Sequence, residues 1–200
     1  MGERILYLVR HGQCELEPPG RHADLHVRRL TALGRMQARL VARRLSALPI
    51  SVIHHSTFLR AIETAQIIAT QFPGIALRPS SLLCECTPSV PPAFADLFVA
   101  VPPGEIERDG LQAQKAFQKY FKPAGKSAKN TASRHEVIVC HGNIVRYFMC
   151  RALQVDVNAW LNTDVHNCGI TEVIVKADGR LMLMSHNDTG HLPYDMRTFF

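Results

Sequence analysis

Apolar and polar positions along this chain alternate between two rhythms. Arg4 to Val9 is a short, nearly continuous apolar run, the pattern of a β-strand buried on both faces. From Leu30 to Leu48 apolar residues recur every three to four positions, which predicts an amphipathic helix with Thr31 as its N-cap. The pair then repeats. Ser51 to His55 reads as a second strand, and Leu59 to Phe72 as a second helix with Ile62, Ala65, Ala69 and Phe72 on one face, stopped by Pro73-Gly74. Glu105 to Phe121 has helical spacing. Glu136 to Cys140 is another buried strand, Asn143 to Leu153 a mostly apolar helix, and Ile170 to Lys176 with Leu181 to Ser185 a hairpin around Asp178-Gly179. Two stretches break both rhythms. Pro88 to Gly104 is proline-rich and predicts a long connection of the kind that covers a site. Lys122 to Arg134 is small, polar and basic, which predicts a mobile surface loop.

Strands alternating with helices predict an α/β fold with a mainly parallel sheet covered on both faces. Two hundred residues suit one domain spanning 1–200, burying about 70% of its unfolded surface. In such folds ligands bind beyond the carboxyl ends of the strands. His11 and His141 each follow a predicted strand directly and so occupy that position.

Composition narrows the class. Hydrophobic content of 46% and charged content of 20% exclude a disordered or fibrous chain. No apolar run approaches the roughly 20 residues needed to span a bilayer, and Ile5 to Val9 is too short for a secretory signal core. The expectation is a chain with no membrane segment and no targeting segment. Six irregularly spaced cysteines suggest reduced thiols rather than a disulfide framework, and Cys84-x-Cys86 has no second ligand pair at zinc-finger spacing. The net charge of +6 favours anionic partners. Arg35, Arg39 and Arg43 form a helical stripe, either a solvated face or a docking surface for an acidic or phosphorylated partner. Nucleic acid is disfavoured, because no aromatics interleave with these arginines.

The residues at the strand ends suit phosphate chemistry. A phosphate monoester carries about −1.5 to −2 charges near neutral pH, so its site needs fixed positive charge and several donors. Arg10 and Arg60 offer planar forks for phosphate oxygens, while Gly12 and Gly142 let backbone N–H groups come close beside the histidines. One histidine can act as nucleophile if a backbone acceptor holds the proton on its other ring nitrogen. His11 is the candidate nucleophile, with His141 donating a hydrogen bond to the transferring group. Glu85, in Leu82-Leu83-Cys84-Glu85, is the candidate proton donor to the leaving oxygen, provided burial raises its pKa. No carboxylate cluster exists to hold magnesium, so neither metal nor cofactor is expected.

Leu8-Val9-Arg10-His11-Gly12, Leu30-Thr31-Ala32-Leu33-Gly34, Ser56 with Arg60-Ala61-Ile62-Glu63-Thr64, Glu85, and His141-Gly142-Asn143 together resemble the histidine phosphatase (phosphoglycerate mutase-like) superfamily. Cys150 to Gln154, Trp160-Leu161, Asn167 to Thr171 and Asp188-Thr189-Gly190 are similar to its branch of mitochondrial phosphoglycerate-mutase-like Ser/Thr protein phosphatases. The resemblance implies a three-layer α/β/α sandwich, mainly parallel with one antiparallel strand. It implies a phosphohistidine on His11, phosphate binding by Arg10, Arg60 and His141, and proton transfer by Glu85. Asn143 also matches, in a supporting role. Gly12 follows the wider superfamily where this branch carries serine.

The expected function is metal-independent hydrolysis of phosphoserine and phosphothreonine proteins, with phosphohistidine proteins as a further substrate class. The alternatives are a small-metabolite phosphatase or phosphoglycerate mutase-type phosphotransferase, and a non-catalytic phosphoprotein-binding module. Mutases of the superfamily carry a longer insertion before the second histidine strand, so the short connection here argues for hydrolysis. The compartment is expected to be mitochondrial or cytoplasmic, and a homo-oligomer is compatible with the chain.

Overall fold

The computed structural model describes residues 2–16, 26–125 and 132–199. Six strands form one sheet: β1 (Arg4–Arg10), β2 (Ile50–His55), β3 (Leu77–Pro79), β4 (Arg134–Cys140), β5 (Ile170–Val175) and β6 (Leu181–Asp188). Their order is β3-β2-β4-β1-β5-β6. β1, β2, β3 and β4 are mutually parallel, β5 runs against β1, and β6 runs against β5. β5 is therefore the one strand opposed to all the others, as the family resemblance implied.

Both faces of the central strands are apolar, which is why their sequences are continuous runs rather than alternations. Leu6, Leu8, Ile138 and Cys140 enter one core with α3 (Pro103–Tyr120) and α4 (Gly142–Leu153). Tyr7, Val9, Val137 and Val139 enter the other, beneath α1 (Ala32–Leu45) and α2 (Leu59–Ala69). The result is a three-layer sandwich.

The helices follow their local signals, with different ends. Thr31 caps α1, its hydroxyl accepting from the Gly34 N–H at 3.0 Å. α1 stops at Leu45 rather than Leu48, because Pro49 disfavours helical geometry at the residue before it. α2 stops at Ala69, where the Thr70 hydroxyl turns back onto the Ile67 carbonyl at 2.7 Å. α3 starts two residues earlier than expected, since Pro103 suits a first helical turn, whose N–H groups need no partner within the helix. The edge strand β3 was not expected. It is three residues long and ends in Pro79, which an edge tolerates. The proline-rich connection contains 3₁₀ turns over Pro92–Phe98. Of the expected Lys122–Arg134 loop, residues 126–131 lie outside the described residues, and Arg134 already belongs to β4. The expected arginine stripe on α1 is partly absorbed, since Arg35 pairs with Glu63 at 3.3 Å. Among the described residues no helix is long and apolar enough to cross a membrane.

Candidate active site

Parallel pairing of β1 with β4 sets Arg10 opposite Cys140, so the next residue of each strand is a histidine at the same edge. The His11 amide donates to the Cys140 carbonyl at 2.9 Å, and the two imidazoles meet edge to face with centroids 5.0 Å apart. Both are buried, His11 at 5% exposure and His141 at 0%. β2 ends beside them, the Ser56 amide donating to the Val139 carbonyl at 3.0 Å.

Arg60, in the first turn of α2, joins the two rings. Its Nε–H donates to Nε2 of His11 at 3.0 Å, and its Nη2 donates to Nδ1 of His141 at 3.1 Å. An arginine can only donate, so both of these ring nitrogens are acceptors and each proton sits on the other nitrogen. Nδ1–H of His11 donates to the Gly12 carbonyl at 2.8 Å, and Nε2–H of His141 to the Ser56 hydroxyl at 2.8 Å. Burial, followed by the charges of Arg60 and Arg10, pushes His11 well below the usual imidazole range. Burial, followed by His11, Arg60 and Arg10, does the same to His141. Both rings are therefore neutral near pH 7, and both turn a lone pair toward the arginine.

Glu85 is half-buried next to the amino end of α4. Its Oε1 accepts from the Asn143 and Cys86 amides at 3.2 and 3.3 Å. Burial raises its pKa, against the lowering pull of Arg10 and Arg60 and of the Cys86 amide. The segment holding it is pinned from two helices. Asn143 Nδ2 donates to the Cys86 carbonyl at 3.1 Å, and Gln112 Nε2 to the Cys84 carbonyl at 2.9 Å.

Gly12 and Arg10 have donors engaged elsewhere than the sequence suggested. A Cβ on Gly12 would stand 2.5 Å from the Gly34 carbonyl oxygen, so glycine there permits close packing of the two backbones. The Gly12 N–H donates to Thr64 Oγ1 at 3.1 Å rather than standing open to a ligand. Gly142 lies against the Arg10 guanidinium, its Cβ position 3.5 Å from Arg10 Nε. Arg10 donates from Nη1 and Nη2 to the carbonyls of Val165 and Phe199, and its buried Nε has no partner among the described residues.

Four residues at the site were given no role from the sequence, although Ser56, Thr64 and Asn167 stand in the motifs that carry the family resemblance. Ser56 accepts from His141, Thr64 accepts from Gly12, Asn167 donates to the His11 carbonyl at 3.1 Å, and Arg146 donates to Asn143 Oδ1. Ser56 carried a signal, since it directly follows a predicted strand just as the two histidines do. Thr64 carried a weaker one, one helical turn beyond Arg60. Among the described residues no group of three or more His, Cys, Asp or Glu side chains is placed to hold a metal ion.

Comparison with known proteins gives the family. The sequence profile of the histidine phosphatase superfamily, branch 1, matches residues 6–88 and 94–189. The mitochondrial serine/threonine-protein phosphatase Pgam5 of Caenorhabditis elegans is 36% identical over 198 residues, covering 98% of this chain and 66% of that protein. Human PGAM5, of the same description, is 34% identical over 202 residues, again covering 98% and 66%. The chain thus spans about two thirds of the length of these relatives. The crystal structure of a phosphoglycerate mutase from Plasmodium falciparum superposes with a TM-score of 0.64 at 29% identity, covering all of both chains. With the profile matched over most of its length, the chain belongs to branch 1 of the histidine phosphatase superfamily.

Proposed function

We propose that this chain is a metal-independent phosphatase acting on phosphoserine and phosphothreonine in proteins, with phosphohistidine proteins as a further class, through a phosphohistidine on His11. One observation carries the reading: a single guanidinium donates to a lone pair on each of two buried, neutral imidazoles. That arrangement keeps positive charge beside an uncharged nucleophile, which is what an incoming phosphate dianion requires. The names of the PGAM5 relatives support the protein substrate and a mitochondrial compartment.

The chemistry runs in two displacements. A phosphate monoester takes over the donors of Arg60, freeing Nε2 of His11 to attack phosphorus. The N–P bond forms as the ester P–O bond breaks, and Glu85, whose pKa burial raises, passes a proton to the leaving oxygen. The Gly12 carbonyl holds Nδ1–H and stabilises the imidazolium side of the phosphohistidine. Water then attacks phosphorus while Glu85 takes its proton, the P–N bond breaks, and the electron pair returns to Nε2. Arg10 contributes charge and the N–H at Nε, which has no partner among the described residues. His141 can donate to a phosphate oxygen through Nδ1 only after taking up a proton, which a bound dianion favours.

The test compares phosphopeptides with small phosphorylated metabolites, using wild type and His11→Ala, with an alkaline quench to preserve acid-labile phosphohistidine. The expected result is phosphopeptide hydrolysis that falls at least about a thousand-fold in His11→Ala, with base-stable label on the wild type alone. Preferential turnover of the metabolites would favour the second reading, a metabolite phosphatase or mutase, to which the fold of the Plasmodium mutase lends weight.

A further inference from the structure

A second concentration of positive charge lies away from the histidines, on the sheet face that carries α3 and α4. A cavity of about 650 Å³ is bounded there by β2, β3, the start of β4 and the end of α3. The register explains its lining. His54 pairs with Ile138 on one side and Arg78 on the other, and Ile138 belongs to the α3/α4 core, so all three share that face. Arg134 and Glu136 precede Ile138 at the same alternation, and Lys119 and Tyr120 close the cavity from α3.

Its charge is not balanced. Among the described residues Glu136 is the single carboxylate in the lining, and Arg4 already binds both its oxygens at 2.8 and 2.7 Å. Burial would raise the Glu136 pKa, yet the hydrogen bonds from Arg4 and His54 hold it down to about 2, so this carboxylate stays ionised and paired. His54 Nε2 lies 3.5 Å from Glu136, and its ring packs edge-on against Tyr120 at 5.1 Å. Arg78, Lys119 and Arg134 have no carboxylate partner among the described residues, and the Lys119 ammonium rests 5.3 Å from the Tyr120 ring. Three uncompensated cations around one concavity focus positive potential into it.

We propose that this cavity is a second anion site that takes a small molecule bearing two or more phosphate groups. Its volume lies in the range of about 300–1,000 Å³ typical of small-molecule sites. Two of the cations are arginines, whose planar forks match phosphate oxygens. The three come from β3, β4 and α3, so the charge is spread along the cavity and suits separated phosphates better than one. The lining holds no arrangement like that around His11, and the site binds without chemistry. The proposal does not rest on the phosphatase reading.

The experiment is calorimetric titration of the full chain with inorganic tripolyphosphate and with orthophosphate. It uses an Arg60→Ala background, so that the histidine site contributes little. One tripolyphosphate site should persist there, weakened by rising salt, with orthophosphate bound at least about ten-fold more weakly. Adding Arg78→Ala and Arg134→Ala should weaken tripolyphosphate at least about ten-fold. In an otherwise wild-type chain the same pair should leave aryl phosphate turnover and the unfolding midpoint unchanged. Should the pair fail to fold, Lys119→Ala, exposed on α3, should weaken binding alone by about three-fold or more. Equal tripolyphosphate affinity with and without these cations overturns the proposal. So does tighter binding of an acidic peptide than of tripolyphosphate, or self-association through this face that tripolyphosphate does not relieve.

Discussion

Arg60 donates its Nε–H to Nε2 of His11 at 3.0 Å, so the lone pair proposed to attack phosphorus is engaged by the group proposed to receive the phosphate. On the proposed mechanism, ligand binding and nucleophile release are one event. Arg60→Ala should lower kcat/KM about 100- to 1,000-fold, in the range of losing a principal charge-stabilising donor. It should also move the acid limb of the kcat/KM profile. The Arg60 charge lowers the His11 pKa, so its removal lets that pKa rise and shifts the limb to higher pH. Burial, the larger cause, remains, so the rise is partial. An acid limb that stays in place would show that Arg60 does not act on the titrating imidazole.

Replacing Glu85 by glutamine should separate substrates by leaving group. Serine and threonine alkoxides need a proton on departure, whereas a nitrophenolate hardly does, so the variant should slow phosphopeptides far more than nitrophenyl phosphate. The raised Glu85 pKa places an alkaline limb in the phosphopeptide profile, where the carboxyl loses its proton. That limb should vanish in Glu85→Gln. Equal slowing of both substrates, with the limb retained, would leave Glu85 a positioning role only.

Ser56 sets the tautomer of His141. Its hydroxyl oxygen accepts from His141 Nε2–H at 2.8 Å and from the Phe58 amide at 3.2 Å, while its own proton points to Cys84 Sγ at 3.4 Å. Ser56→Ala strands two buried donors and should destabilise the fold by about 1–3 kcal/mol, read from the denaturant midpoint. It should also lower kcat, because His141 is freed to turn its N–H the other way. A midpoint unchanged from wild type would contradict the assigned hydrogen bonds.

Stability should fall on acidification below about pH 6.5. His11 and His141 are depressed by burial and by neighbouring groups, and His186 and His191 mainly by burial. Between their folded and unfolded pKa values the unfolded chain binds more protons, so the stability of the neutral buried rings is lost as pH drops through that window. Glu136, down at about 2, extends the loss from its ordinary range near 4.5 toward pH 2. Glu85, shifted up, works in the opposite direction and is favoured by acid. Denaturant midpoints measured from pH 7 to pH 5 should decline, with a shallower slope in the His11→Ala/His141→Ala chain. A flat profile in the wild type would refute neutral burial of these rings.

Much of this molecule is legible in the linear chain because its strongest signals are local. Continuous apolar runs mark strands covered on both faces, and three-to-four spacing marks the four helices. A histidine directly after each of two such runs is enough to bring both to one sheet edge. Arg60 and Glu85 are recognisable only as members of the motif set with the two histidines, since neither an arginine in a first helical turn nor a loop glutamate is distinctive alone. What remained hidden depends on partners distant in sequence. β3 is too short for any period to show. Two Arg10 nitrogens, Nη1 and Nη2, donate to carbonyls 155 and 189 positions away. Ser56 becomes the acceptor that orients His141 across 85 positions. The three cations of the second cavity lie on three elements that only the sheet register assembles. Periodicity determines which face of an element is buried, since that depends on the residues of the element itself. Which polar groups then share that buried space is settled by packing, because each must find a partner from wherever the folded chain brings one.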